Sequence, residues 1–215
     1  MRYLLNRIRC VDKKTSISSQ IAVTFAMLMF GIVLGIGSKF LDCTASNELP
    51  FIVGYLDITN FLGRFAIWIL IALCISVYSI SPIRAGINVF MFFVGMVTSY
   101  YLYSTFVAGF FPRSYAMIWI GFTVISPLLA CISWYAKGNS RVSFFLSVMI
   151  IAVLFNMTFV YGWGYFEPIS LLELVVFVCG LLVMKRRTIK ETTIMIILGI
   201  VLAFILDVFV PFHFY

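Results

Sequence analysis

Apolar runs of about twenty residues follow one another from residue 20 to residue 210, separated by short polar turns. A helix of that length crosses the hydrocarbon core of a bilayer. In lipid every backbone N–H and C=O must be satisfied within the chain, so such runs fold as helices. They lie at about residues 20–41, 61–80, 85–110, 114–136, 142–161, 169–184 and 191–210. The pattern predicts an all-α fold, a polytopic membrane helix bundle with seven transmembrane helices. The sixth run is the shortest; were it re-entrant, the count would be six and the C-terminus would return inside. Residues 1–18 read as a basic cytoplasmic interfacial segment and residues 19–215 as a single transmembrane helical domain.

Composition closes the other routes. Of the 215 residues, 63% are hydrophobic and 11% charged, with a mean hydropathy of +1.12. Soluble domains are about 25% charged, and their surfaces must tolerate water. A soluble globule, a disordered chain and a disulfide scaffold are therefore excluded. The first run is longer than the roughly 7–15 apolar residues of a signal peptide. Asp42 directly before Cys43 argues against lipoprotein processing. The run is read as a retained helix. The five cysteines, Cys10, Cys43, Cys74, Cys131 and Cys179, are scattered without metal-ligand spacing, and His213 is the only histidine. No metal and no cofactor are expected.

The net charge of +7 sorts by turn. Five cations lie before residue 15, and Arg84, Lys137, Arg141, Lys185, Arg186, Arg187 and Lys190 lie in alternate turns, so twelve of fifteen share one side. Lys39, Arg64 and Arg113 fall on the other. By the positive-inside rule the N-terminus is cytoplasmic and, with seven spans, the C-terminus is outside. The charge therefore reports orientation in a plasma membrane and implies no nucleic-acid partner. Three local features accompany the spans. A short interfacial helix is expected after Pro50. Pro127 should kink the fourth span. The aromatic stretch 162–168 suits a headgroup layer.

Six of the eight acidic residues fall toward the outer side, and two of them, Glu173 and Asp207, lie within spans. Ionised groups at membrane depth cost a few kcal/mol, face the bundle interior and tend to be paired. Arg64 and Arg113 sit at matching depth. Asp57, Asn60 and Arg64 are spaced i, i+3, i+7, so one helical face would carry all three. Tyr100 and Tyr101, in the run Ser99–Ser104, would add rings and hydroxyls. The candidate ligand-binding set is thus Asp57, Asn60, Arg64, Tyr100, Tyr101, Arg113, Glu173 and Asp207. The same charges can instead snorkel to headgroups or lock two helices, and the tyrosines can belong to an interfacial belt. Asn88 and Asn156 should each hydrogen-bond a neighbouring helix.

Small residues recur at helical spacing: Ala22 and Ala26, then Gly31 and Gly35, on the first span, and Gly199 and Ala203 on the seventh. Such pairs let helix backbones approach, within the bundle or against a partner. No serine-hydrolase elbow, zinc-protease motif, P-loop, arginine-rich voltage sensor or selectivity filter is present. These absences weigh against an enzyme, and none of the residues is assigned a catalytic role.

The pieces SPIRAGINVF, GMVTSYYLYS, FFPRSYAMIW, ISPLLA and WYAKG, within residues 81–138, resemble an uncharacterised family of small multi-span bacterial membrane proteins. That resemblance implies a bacterial plasma-membrane protein and no activity. In size and compactness the chain is similar to the substrate-binding membrane subunits of energy-coupling-factor vitamin transporters. Those carry an Ala-x-x-x-Ala on the first helix for a coupling partner, which Ala22 and Ala26 match; they have six helices and both ends inside.

The leading expectation is a membrane small-molecule binding or transport protein with an outward-facing polar pocket. The alternatives are a membrane-embedded enzyme acting on lipid or envelope precursors, and a non-catalytic membrane assembly or immunity protein. The partners expected are the lipid bilayer, a small-molecule ligand, and a membrane partner subunit or a homo-oligomer.

Overall fold

The computed structural model describes residues 8–11, 15–45 and 48–209. The basic segment expected over residues 1–18 falls largely outside the described residues, as do His213 and the rest of 210–215. Among the described residues the fold is helical, with one small hairpin. In chain order the elements are α1 (Ile17–Cys43), α2 (Phe51–Tyr55), α3 (Ile58–Gly63), α4 (Ala66–Tyr78), α5 (Pro82–Phe106), α6 (Arg113–Ala136), α7 (Arg141–Asn156), β1 (Phe159–Gly162), β2 (Tyr165–Pro168), α8 (Leu171–Met184) and α9 (Ile189–Phe209). Four helices, α1, α5, α6 and α9, are long and apolar enough to cross a membrane; α4, α7 and α8 are apolar but shorter.

Serine caps set several helix starts. Ser16, Ser81, Ser140 and Ser170 each accept a hydrogen bond from a backbone N–H in the first turn of α1, α5, α7 and α8. Those amides have no partner within their own helix. Pro82 follows Ser81 at a position where its missing N–H costs nothing.

Two runs differ from the sequence expectation. The second is broken: α3 ends at Gly63, Arg64 and Phe65 are not helical, and α4 starts at Ala66. Asp57 adopts φ 51°, outside any helix. Asp57, Asn60 and Arg64 therefore do not lie on one continuous helix. The fifth run leaves the helix at Asn156 and continues as the antiparallel β1–β2 hairpin, with Gly162 opposite Tyr165. Thr158, Phe159, Val160 and Tyr161 are β-branched or aromatic residues that favour a strand. Gly164 closes the turn at φ 89°, a conformation that suits glycine.

The chain divides into two compact units. The first comprises Met1–Val11, Arg64–Val77 and Ile132–Tyr215. Within it α7 is the central element. Gly199 of α9 lies against Ile151 and Val148, and Gly180 of α8 against Leu154. Ile151, Leu154, Phe155, Phe177, Met195 and Ala203 make up much of the buried core. Phe155 meets the rings of Phe159, Phe166, Phe177 and Phe204, which ties the hairpin to the helices.

The second unit comprises Asp12–Gly63 and Tyr78–Cys131. It is built on the pairing of α1 with α5. A Cβ on Gly31 would stand 2.1 Å from the Phe92 carbonyl oxygen, and one on Gly35 2.3 Å from that of Met96. From the other side, a Cβ on Gly95 would stand 2.4 Å from the Leu28 carbonyl oxygen. Without side chains at these points the two backbones touch, which is how small residues drive helix association in lipid. Thr24 donates to Asn88 Oδ1 at 2.8 Å, and Arg84 donates to Gln20 O and to Thr24 Oγ1. Gly86 of α5 faces the carbonyl of Pro127, the proline inside α6.

Candidate functional site

Among the described residues, each unit places an acid–base pair among apolar helices. In the first unit it is built on the start of α8. The sequence Ser170-Leu-Leu-Glu173 has the spacing of a helix capping box. Ser170 Oγ accepts from Leu172 N at 3.1 Å and donates to Glu173 Oε2. Glu173 is fully buried. Arg64 Nη1 reaches its other oxygen, Oε1, at 2.6 Å. The carboxylate thus has a hydroxyl on one oxygen, a guanidinium on the other, and the positive end of the α8 dipole beneath it. Arg64, one of the two non-helical residues between α3 and α4, supplies that guanidinium. Its side chain remains 24% exposed.

The end of α7 joins this cluster to α9. Thr158 Oγ1 lies 3.3 Å from the Glu173 carbonyl oxygen. Asn156 Nδ2 donates to the Ala203 carbonyl at 3.1 Å, the cross-helix bond expected of it. Tyr161 OH donates to Asn156 Oδ1 at 2.9 Å. Partial burial, and then the nearby Asp207 carboxylate, push the Tyr161 hydroxyl up to about 12. Asp207 itself is half-buried on α9.

In the second unit the cluster is Lys39, Asp42 and Tyr100. Lys39 is 2% exposed and pairs with Asp42 Oδ2. Tyr100 OH donates to the same oxygen at 3.1 Å. The ammonium lies 5.1 Å from the Tyr100 ring centroid and 4.7 Å from that of Phe110. A desolvated cation between two ring faces is held by their quadrupoles as well as by the carboxylate. Tyr101 is buried beside Tyr100, with ring centroids 5.1 Å apart. Asn60 Nδ2 donates to Asp57 Oδ1 at 2.8 Å, and Arg113 is exposed at the first turn of α6.

The eight predicted residues thus fall in two groups. Arg64, Glu173 and Asp207 belong to the first unit, and Asp57, Asn60, Tyr100, Tyr101 and Arg113 to the second. Sequence reasoning missed Ser170, although its capping-box spacing was there to read. It also missed Lys39 as a partner, although Lys39 and Asp42 stand one helical turn apart. Of the small residues, Gly31, Gly35, Gly199 and Ala203 are buried in packing, whereas Ala22 and Ala26 are exposed on α1. Among the described residues no group of three or more His, Cys, Asp or Glu side chains is placed to hold a metal ion. No family model, curated protein or solved structure matches the chain.

Proposed function

We propose that the chain is a multi-pass protein of a bacterial plasma membrane that binds or carries a small molecule at its outer side. Seven crossings, a cytoplasmic N-terminus and an outside C-terminus bring most of the basic turns to one face. They also send the C-terminal ends of α1 and α5, the start of α8 and the end of α9 to the opposite face. Both charged clusters and Asp207 then lie toward the outside.

The observation that carries this reading is the Arg64–Glu173 pair: a fully buried carboxylate whose cation remains partly exposed. An ionisable group kept at membrane depth is a functional hypothesis by default. An anionic group of a ligand competes with Glu173 Oε1 for Arg64. The guanidinium is able to hold that group bidentately. With no nucleotide motif in the chain, the energy for transport comes from an ion gradient or from a partner.

The test is native mass spectrometry of the gently solubilised protein beside Glu173→Gln. The glutamine keeps a hydrogen-bonding group at the same place. A small molecule retained differently by the parent and a folded Glu173→Gln supports the reading. Equal retention by both removes Glu173 from the site. A second reading, an assembly protein, is favoured by the exposure of Ala22 and Ala26. It predicts that Ala22→Leu disrupts a complex with another membrane protein and leaves retention unchanged.

A further inference from the structure

The turn after α6 and the turn after α8 clasp each other through their cations. Lys137 Nζ donates to the carbonyls of Val183 and Lys185, the latter at 2.9 Å. Arg186 Nη1 donates back to the carbonyls of Ala136, at 3.2 Å, and Gly138, at 2.8 Å. Arg9 joins them. Its Nη1 donates to the Trp134 carbonyl at 2.8 Å and its Nη2 to that of Val77 at 3.0 Å. Its guanidinium carbon lies 4.3 Å from the Trp134 ring centroid. Gly138 is pressed against this segment, since a Cβ there would stand 2.1 Å from the Ile8 carbonyl oxygen.

The carbonyls belong to the C-terminal ends of α4, α6 and α8. Each helix end carries about half a negative charge. Three ends offset about half of three full cations, and the Glu191 carboxylate acting on Arg186 offsets a further one, so the positive surplus at this end comes mainly from the added charges of Lys185 and Arg187. Within the clasp, burial, and then repulsion from Arg186 and Arg9, hold the Lys137 ammonium below its ordinary pKa. Lys185 and Arg187 are exposed beside it. Exposed apolar side chains adjoin the same turns, with Leu182 at 66% and Ile189 at 82%.

We propose that this clasp binds the phosphate of an anionic phospholipid headgroup. The cations supply the charge complement, and the exposed Leu182 and Ile189 lie where acyl chains would run. A free phosphate ion shares the headgroup chemistry but gains nothing from the apolar flank. The clasp sits at the end of α8 opposite Glu173, so it stands or fails apart from the ligand reading above.

The experiment titrates the full chain, in neutral detergent, with short-chain phosphatidylglycerol, short-chain phosphatidylcholine and inorganic phosphate, reading bound adducts by native mass spectrometry. Phosphatidylglycerol is expected to bind at least about tenfold more tightly than phosphatidylcholine, and phosphate at equal concentration to leave it in place, as two cations' worth of headgroup attraction requires. Lys137→Gln is expected to weaken phosphatidylglycerol about fivefold, the worth of one cation near a headgroup. Lys137→Arg keeps the affinity. Equal binding of the two lipids overturns the proposal. So does displacement by phosphate, or a folded Lys137→Gln that binds as the parent does. If Lys137→Gln does not fold, the lipid preference of the parent chain decides in either direction.

Discussion

Glu173 shows how a single residue ties the fold to the proposed function. Its oxygens are divided between Ser170 and Arg64, so it closes a helix end and fixes the non-helical link before α4. Leaving the buried Glu173 carboxylate without its partner costs about 3–5 kcal/mol, whereas an apolar pair of similar volume is often neutral. Arg64→Leu is therefore expected to lower detergent stability strongly, and Arg64→Leu with Glu173→Leu to recover most of the loss, read as thermal midpoints. A double variant as unstable as the single would show that the pair is not the interaction lost. Tyr161 gives a test by titration. Its hydroxyl is held near 12, above its ordinary value of 10. A raised folded pKa means stability fully present below pH 10 and lost as pH rises through about 12. Asp207→Asn is expected to lower the phenolate midpoint, measured by absorbance against Tyr161→Phe. The chemistry of Glu173, Arg64 and Asp207 was legible from their rarity in apolar runs. The division of the eight predicted residues between the two units was not, because spacing along a chain does not say which helices meet.

At the scale of elements, the α1–α5 pairing is written in glycines that leave no room for a side chain. Gly31→Leu and Gly95→Leu each place atoms where a carbonyl stands and are expected to break the unit, seen as loss of a monodisperse peak in detergent. Gly37 has nothing within 4 Å of a would-be Cβ. Gly37→Ala should therefore hold or gain up to about 1 kcal/mol through helix propensity. Gly31 and Gly35 were visible in the sequence as a helix-packing signal. That they close on Phe92 and Met96 of α5, with Gly95 closing back on Leu28, was not, since no periodicity in α1 names its neighbour. The hairpin was half legible. The aromatic stretch was recognised, but hydropathy alone reads Thr158–Tyr161 as more helix, and only their strand preference and the turn glycine say otherwise. The break at Arg64 was hidden by apolar residues on both sides, since hydropathy measures burial and not continuity of the backbone.

For the whole molecule, the membrane class was legible at once, because nothing else disposes of so much apolar surface. Helix lengths were less so. α4 has 13 residues, about 20 Å of helix, against a hydrocarbon core of about 30 Å. Local thinning, or the non-helical residues at its ends, must supply the difference if it crosses. With seven crossings a reporter fused after residue 215 reads outside; a cytoplasmic reporter would remove one short helix from the count. The side on which the charged clusters lie is the central claim, and the chain carries its own probes for it. Cys10 and Cys43 are both exposed; Cys10 precedes α1 and Cys43 is its last residue, next to Asp42. Intact cells would be treated with a membrane-impermeant maleimide and the modified cysteines mapped by mass spectrometry. Modification of Cys43, with Cys10 reached only after permeabilisation, is the predicted result. Modification of Cys10 with Cys43 protected would reverse the orientation, and modification of both in intact cells would deny that α1 crosses at all.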